Sequence, residues 1–283
     1  MEFSIRNMLF GDLEFAARSA AAEGWISETT EDFENFLAYD PAGCFIAMRD
    51  NKQVGICIST NYGKTGFIGE LIVAQGLRNK GIGTALLNSA IDYLTQCGVE
   101  SIFLDGDIPA VPLYDRTGFI KICKSLRFTG RYEGKPNASV HPVTEEDLLK
   151  INRIDSEIFG ADRTYFLERK FKNHPTLCKV LKVNGSIKGY IFGKRNNGVI
   201  SIGPWVILDD NLSPAPLLDV LALEAGNATF RIGVLENNKK AVHLLKSYKK
   251  FSEGEFSWRM VLGKKSTLGL NEAIIGIGSA AKG

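Results

Sequence analysis

The sequence predicts an α/β protein made of two similar halves, each a central mixed sheet flanked by helices. The first half reads strand, two helices, three strands, helix, strand, helix, strand: an antiparallel front followed by a parallel crossover. The second half repeats that order. A short local match supports duplication, LDGDIPAVPLY (residues 104–114) against VLENNKKAVHLL (residues 234–245). In it Ala110 meets Ala241, Val111 meets Val242 and Leu113 meets Leu244.

Each element has a local reason. FSIRNM is a short strand, and GDLEFAARSAAAEG an alanine-rich helix ended by Gly24. Thr29 or Thr30 caps a second helix, EDFENFLAY, which stops before Pro41. CFIAMR and QVGICIST form a hairpin around DNK, and GFIGELIV is a third, mostly apolar strand. A helix follows over 81–97, with apolar positions at Ile82, Leu86, Ile91 and Leu94 and a stop at Gly98. SIFLD reads as a buried strand, residues 110–116 as a short helix and FIKICKSLRF as a last strand.

TGRYEGKPN then has linker composition. The second half starts with a strand and a helix whose first turn is acidic, SVHPVTEEDLLKINRID. A hairpin turns at Asn184-Gly185, GVISIGPWVIL is a strand, and residues 228–263 supply strand, helix and strand. The expected division is a first domain over 1–130, a linker over 131–137, a second domain over 138–265 and a tail over 266–283. The tail is apolar and glycine-rich, and its isoleucines argue for docking.

Composition excludes several classes. With 34 basic and 32 acidic residues the net charge is +2, which gives no general attraction to nucleic acid. The short basic runs, KSYKK among them, read as solvated faces. Five scattered cysteines (Cys44, Cys57, Cys97, Cys123, Cys178) without Cys-x-x-Cys spacing, and three dispersed histidines, point to no metal site and to a reducing compartment. No run reaches about 18 apolar residues and no basic start precedes an apolar core, so no membrane span is expected and a cytoplasmic location follows.

The chemistry concentrates in LIVAQGLRNKGIGTALL (residues 71–87), where a strand passes through a basic, glycine-rich turn into a helix. Backbone N–H groups at a helix N-terminus, with the helix dipole behind them, make an anion site. Gly81 and Gly83 permit close backbone approach, and Arg78 and Lys80 add positive charge. The string fits neither a P-loop, which needs Gly-Lys-Ser/Thr, nor a dinucleotide fingerprint, whose third glycine position holds Leu86. A phosphate or pyrophosphate is the ligand best suited.

VAQGLRNKGIG (residues 73–83) resembles the (Arg/Gln)-x-x-Gly-x-(Gly/Ala) motif of the GCN5-related N-acetyltransferases, the GNAT superfamily, and AVPLYDRTGF (residues 110–119) resembles that family's second signature. EGW, FLAYDPAGCFIA, GFIGELIV and FLDGDIPAVPLYDRTGF are similar to a two-domain group of the family with a degenerate second domain, and IGPWVILDD and GIGSAAKG to its C-terminal half. The resemblance implies tandem GNAT-like domains, acetyl-CoA as cosubstrate and no metal. It also implies direct attack of an acceptor amine on the thioester, without an acyl-enzyme.

On that resemblance Arg78, Asn79, Lys80, Gly81, Ile82, Gly83 and Thr84 form the pyrophosphate cradle. Leu71, Ile72 and Val73 form the strand edge that pairs with the pantetheine arm. Tyr114 occupies the place of the general acid, and a phenol with pKa near about 10 stays protonated at neutral pH; packing is the competing reading. Glu70 is the candidate base, weighed equally against a surface or edge carboxylate. Asp105 and Asp107 flank a strand end, where they bind a cationic amine or cap the next helix. Trp25 lies where the family shapes its acceptor pocket, or packs.

In the second half the cradle's place reads DDNLSPAPLLDV, with no Gly-x-Gly and no Arg, and Leu245 or Tyr248 stands for Tyr114. Two aspartates repel phosphate and two prolines withhold donors. This half is expected to have lost acetyl-CoA binding and to wall the acceptor site or mediate assembly, a homodimer included. The expected function is N-acetyl transfer from acetyl-CoA to an amine in the first half. The alternative is a non-catalytic acetyl-CoA-binding regulatory protein on the same fold.

Overall fold

The computed structural model describes residues 2–25 and 27–283. In the first half the strands and helices are β1 (Ser4–Asn7), α1 (Leu13–Ala22), α2 (Thr30–Tyr39), β2 (Cys44–Arg49), β3 (Lys52–Asn61), β4 (Thr65–Val73), α3 (Ile82–Gln96), β5 (Ser101–Asp107), α4 (Val111–Arg116) and β6 (Ile120–Gly130). The second half contains β7 (Val140–Pro142), α5 (Glu145–Phe159), α6 (Thr164–Asn173), β8 (Cys178–Val183), β9 (Ser186–Asn196), β10 (Val199–Ile207), α7 (Ala215–Ala225), β11 (Thr229–Leu235), α8 (Lys239–Ser247), β12 (Phe251–Glu253), β13 (Ser257–Gly263) and β14 (Ile274–Gly276). From β1 and from β7 onward the two halves run through the same order, with α6 and α7 completing the repeat where the sequence signal was weakest.

The chain folds into two units that are interleaved in sequence. One holds Met1–Lys121 with Met260–Ser266 and Lys282; the other holds Ile122–Arg259 with Thr267–Ala281 and Gly283. The first unit therefore takes most of β13, and the second takes β6 from Ile122 onward. Within the first unit Lys264 N–H donates to Glu100 O (2.9 Å), which fixes the borrowed segment beside β5.

In the first unit the sheet order is β1-β2-β3-β4-β5. The β1–β2, β2–β3 and β3–β4 pairs are antiparallel, and β4–β5 is parallel. Asp50 and Asn51, both at positive φ, close the β2–β3 hairpin as a two-residue turn. The crossover helix α3 buries Ile82, Leu86, Leu87, Ala90 and Leu94, while Ile91 is only half-buried. Helix α1 is anchored by the buried Asp12, which accepts from Leu9 N–H (2.7 Å), both Arg6 Nη atoms (2.7 and 2.8 Å) and Gln53 Nε2 (3.0 Å). Burial pushes that carboxyl up, but these bonds and the Arg6 charge outweigh it and hold the pKa at about 2.

In the second unit the order is β6-β11-β10-β9-β8-β7, with β10–β11 parallel and β14 paired with β10. A thick apolar core forms around Trp205, Leu217, Leu221, Phe230 and Ile275. Within the linker-like residues 131–137, Tyr132 and Gly134 lie against α7. Tyr132 Oη donates to Asp219 (2.8 Å), and a Cβ on Gly134 would collide with Asp219 O. The tail is docked on this unit: Asn238 Nδ2 donates to Glu272 O and Ile274 O (2.8 and 2.9 Å), and Gly269 N–H to Phe159 O (2.8 Å).

Candidate active site

The turn after β4 is built to present amide hydrogens. Asn79 (φ 61°) and Gly81 (φ 85°) are both left-handed, on either side of Lys80, which makes a concave run of backbone. Gly81 is the N-cap of the fifteen-residue α3 and no side chain caps it, so the first-turn amides of Ile82, Gly83 and Thr84 have no intrahelical acceptor. Among residues 78–81 and 84 every side chain is exposed. An anion set here meets amide donors, the positive end of the helix and Lys80, whose Nζ donates to Gly76 O (2.9 Å). At Gly83 the protein itself makes no demand for glycine: a Cβ would meet Val73 Cγ2 and Leu113 Cδ2 at 3.6 and 3.7 Å, ordinary contacts. The protein has room for one there, so any demand for glycine at 83 comes from a ligand.

The strand leading in is bulged. Ile56 pairs with Ile72 and Ile58 with Gly69, so Cys57 is opposed by both Glu70 and Leu71. Glu70 adopts φ 52°, a conformation a non-glycine residue reaches only at a cost, and its side chain is 5% exposed. Beyond the bulge β4 and β5 part company: their pairing runs from Thr65–Ser101 to Ile68–Leu104, while β4 continues to Val73 and β5 to Asp107. Leu71 and Val73 are half-buried along that edge, and Ile72 is buried.

Tyr114 closes the other side. Helix α4 lays its ring on the backbone of β5, where a Cβ on Gly106 would come within 2.6 Å of the ring, and Phe119 meets it edge-on at 6.0 Å. Glycine at 106 is therefore required by Tyr114, a constraint invisible in the linear sequence. Burial, then the Cys57 thiol and the Asp107 carboxylate, raise the phenol pKa above its usual value. The Cys57 thiol is itself pushed up by burial, by Cys44 and by Glu70. Cys57 thus lies across the bulge from Glu70, and its buried thiol is electrostatically linked to both Glu70 and Tyr114. With its pKa raised, that thiol is protonated at neutral pH and is no nucleophile.

The remaining candidates are less drawn together. Asp107 is exposed and acts on Tyr114 electrostatically; it is the N-cap of a 3-10 turn over residues 108–110 but makes no side-chain cap there. Asp105 is half-buried on β5, and Trp25 is half-buried just past α1. A contact that the sequence did not suggest joins that segment to the cradle. Arg78 Nη2 is ion-paired with Glu23 Oε1, and Arg78 Nε donates to Val73 O (2.9 Å). Among the described residues no cluster of three His, Cys, Asp or Glu could hold a metal, and no helix is long and apolar enough to cross a membrane.

Comparison with known proteins bears on this arrangement. Residues 9–119 match the acetyltransferase (GNAT) family, and residues 151–276 match an acetyltransferase (GNAT) domain. The chain belongs to the GNAT superfamily. Both of its halves carry the family signal, as a tandem architecture requires. A structure from Pyrococcus horikoshii superposes with a TM-score of 0.83 at 24% identity, covering 99% of this chain and 96% of that one. The tandem GNAT protein from the clavulanic acid biosynthesis pathway gives 0.64 at 14% identity, covering 94% and 100%. The N-alpha-acetyltransferase MAK3 of Arabidopsis thaliana is 31% identical over 96 residues, 31% of this chain and 50% of that protein. The chain thus spans about half the length of the curated relatives it matches first.

The second GNAT domain has the same edge in a different state. Strands β10 and β11 pair from Val199–Thr229 to Ile202–Ile232, and then β10 meets β14, Trp205 opposite Gly276 and Val206 opposite Ile274. Ile277 N–H donates to Gly233 O of β11 (2.9 Å). The tail is therefore wedged between the two strands where they separate. The turn that follows carries Asp209 and Asp210, and α7 begins after Pro214 with Pro216 in its first turn and no side-chain cap. Of the two candidates for the place of Tyr114, Leu245 is fully buried and Tyr248 half-buried.

Proposed function

We propose that the protein is an N-acetyltransferase that moves an acetyl group from acetyl-CoA to an acceptor amine, with its active site in the first domain. The observation that carries this reading is the conjunction at β4. One strand supplies a strained buried carboxylate and an edge released from β5, and runs into an uncapped helix N-terminus, all within the stretch that matches the family. In the second domain the corresponding edge is covered by β14 and its turn is acidic.

In this reading the amides of 79–84, with Arg78 and Lys80, hold the diphosphate of acetyl-CoA, and Leu71, Ile72 and Val73 offer backbone partners to the pantetheine arm. The acceptor nitrogen attacks the thioester carbonyl directly, the C–N bond forms and the C–S bond breaks. Glu70 takes the proton from the amine, directly or through water, and Tyr114 returns one to the departing sulfur. A phenol held protonated by burial suits that second task. Asp105 and Asp107 give the acceptor side a negative character, which favours a cationic amine, and Trp25 borders it.

A non-catalytic acetyl-CoA binder on the same fold would need the cradle but no proton handling. Tyr114→Phe separates the two. For the enzyme, thiol release from acetyl-CoA falls about a hundredfold or more while acetyl-CoA affinity stays within about twofold. Equal losses in rate and affinity would remove the acid role. Absence of thiol release by the wild-type protein across amine, amino-acid and peptide panels would favour the binder.

A further inference from the structure

The contact between Glu23 and Arg78 has a consequence for ligand binding. Helix α1 ends in a tight C-cap: Glu23 N–H donates to Ala20 O (3.1 Å), Gly24 N–H to Ala21 O (3.0 Å) and Trp25 N–H to Ala20 O (3.0 Å), with Gly24 at φ 79°. Glu23 is thereby fixed at the negative end of the helix dipole, where a carboxylate is disfavoured, and the last turn of α1 holds no basic residue. Among the described ion pairs its cation is Arg78.

Arg78 folds back along the end of β4 while it holds Glu23. Ala74 N–H points to β3, donating to Val54 O (2.9 Å), so the backbone groups of Val73 point the opposite way, toward the side of β4 that has left β5. Arg78 Nε occupies that Val73 carbonyl while its Nη2 holds Glu23. The cradle's arginine thus lies across the end of the open strand edge, neutralised by an internal carboxylate.

We propose that Glu23 is an internal competitor for Arg78: it takes the place of an anionic ligand at the guanidinium, weakens the hold on acyl-CoA and speeds release of the CoA product. This rests on the reading that residues 78–84 bind acetyl-CoA. When the diphosphate draws Arg78 away, Glu23 loses its cation and the Val73 carbonyl becomes free for the ligand's amide. The exchange of one anion for another at Arg78 lowers affinity without removing it, and it ties cosubstrate binding to the end of α1, next to Trp25.

The test is titration calorimetry of acetyl-CoA and of CoA against the wild-type protein, Glu23→Gln, Arg78→Gln and the double variant. Glu23→Gln should bind both ligands about two- to fivefold more tightly, the range for a half-exposed ion pair, with the gain shrinking as salt is raised. In the Arg78→Gln background the same substitution should add nothing, because Glu23 acts through Arg78. Glu23→Ala serves as the second variant and should give the same gain, with the melting temperature of each ligand-free protein recorded alongside. In steady-state assays the KM for acetyl-CoA should fall and product inhibition by CoA should strengthen by the same factor. Wild-type binding with unchanged or weaker affinity in Glu23→Gln overturns this proposal alone. A gain that persists without Arg78 overturns its route. No binding by the wild-type protein overturns the underlying reading as well.

Discussion

Both domains split a parallel strand pair at the same place: β4 and β5 separate after Ile68 and Leu104, β10 and β11 after Ile202 and Ile232. In the first domain the separated edge runs past a bulge at Glu70 into a turn with two left-handed residues and an arginine. In the second it receives β14, and the following turn has two aspartates and a proline before the helix. One chain has thus treated the same gap in two ways. Where the gap stays open, the sequence keeps polar, strained and glycine-bearing backbone; where it is filled from within, Ile274, Ile275 and Ile277 bring ordinary apolar burial.

That contrast can be broken most forcefully at the filled gap. Ile275 is fully buried among the apolar side chains of the second domain's core. Ile275→Asp should cost about 4 kcal/mol or more, by stranding a carboxylate in that core, and Ile275→Ala about 2–5 kcal/mol. Urea unfolding reads both. Losses under about 1 kcal/mol would mean that β14 is a dispensable cover and that the two gaps are alike.

A smaller effect sharpens the contrast from the other side. Gly83→Ala adds a methyl group that the protein can accommodate, so stability should stay level or rise by about 0.5–1 kcal/mol. Acetyl-CoA affinity should nevertheless fall, by roughly threefold to tenfold, because the methyl group intrudes on the ligand's approach to the helix N-terminus. Equal affinity in Gly83→Ala would take that amide out of the cradle.

The open gap was far more legible in the sequence than the filled one. Arg78, Lys80, Gly81 and Gly83 lie in one stretch whose chemistry is local, a strand, a basic turn and a helix start, and Tyr114 follows in a second compact signature. Local turn chemistry also placed the hairpins at residues 50–51 and 184–185. What stayed hidden depends on contacts distant in sequence. Glu70 could not be told from an edge carboxylate, because its bulge and burial depend on pairing with β3. Gly106 looked incidental until the Tyr114 ring was seen to lie on it. The pairing of Glu23 with Arg78 gave no signal, since the two are 55 positions apart. The tail showed an apolar character but not its destination between β10 and β11, and the exchange of β6 and β13 between units leaves no mark on the periodicity of either strand. Helix α7 was obscured by the prolines that open it.

The claim that one gap is open and the other filled is tested most directly by the stoichiometry of acetyl-CoA binding. Titration calorimetry of the wild-type protein should give one acetyl-CoA per chain, and the Arg78→Glu/Gly81→Glu variant, with an unchanged circular dichroism spectrum, should give none. Two equivalents per chain, or one that survives in the double variant, would contradict the account.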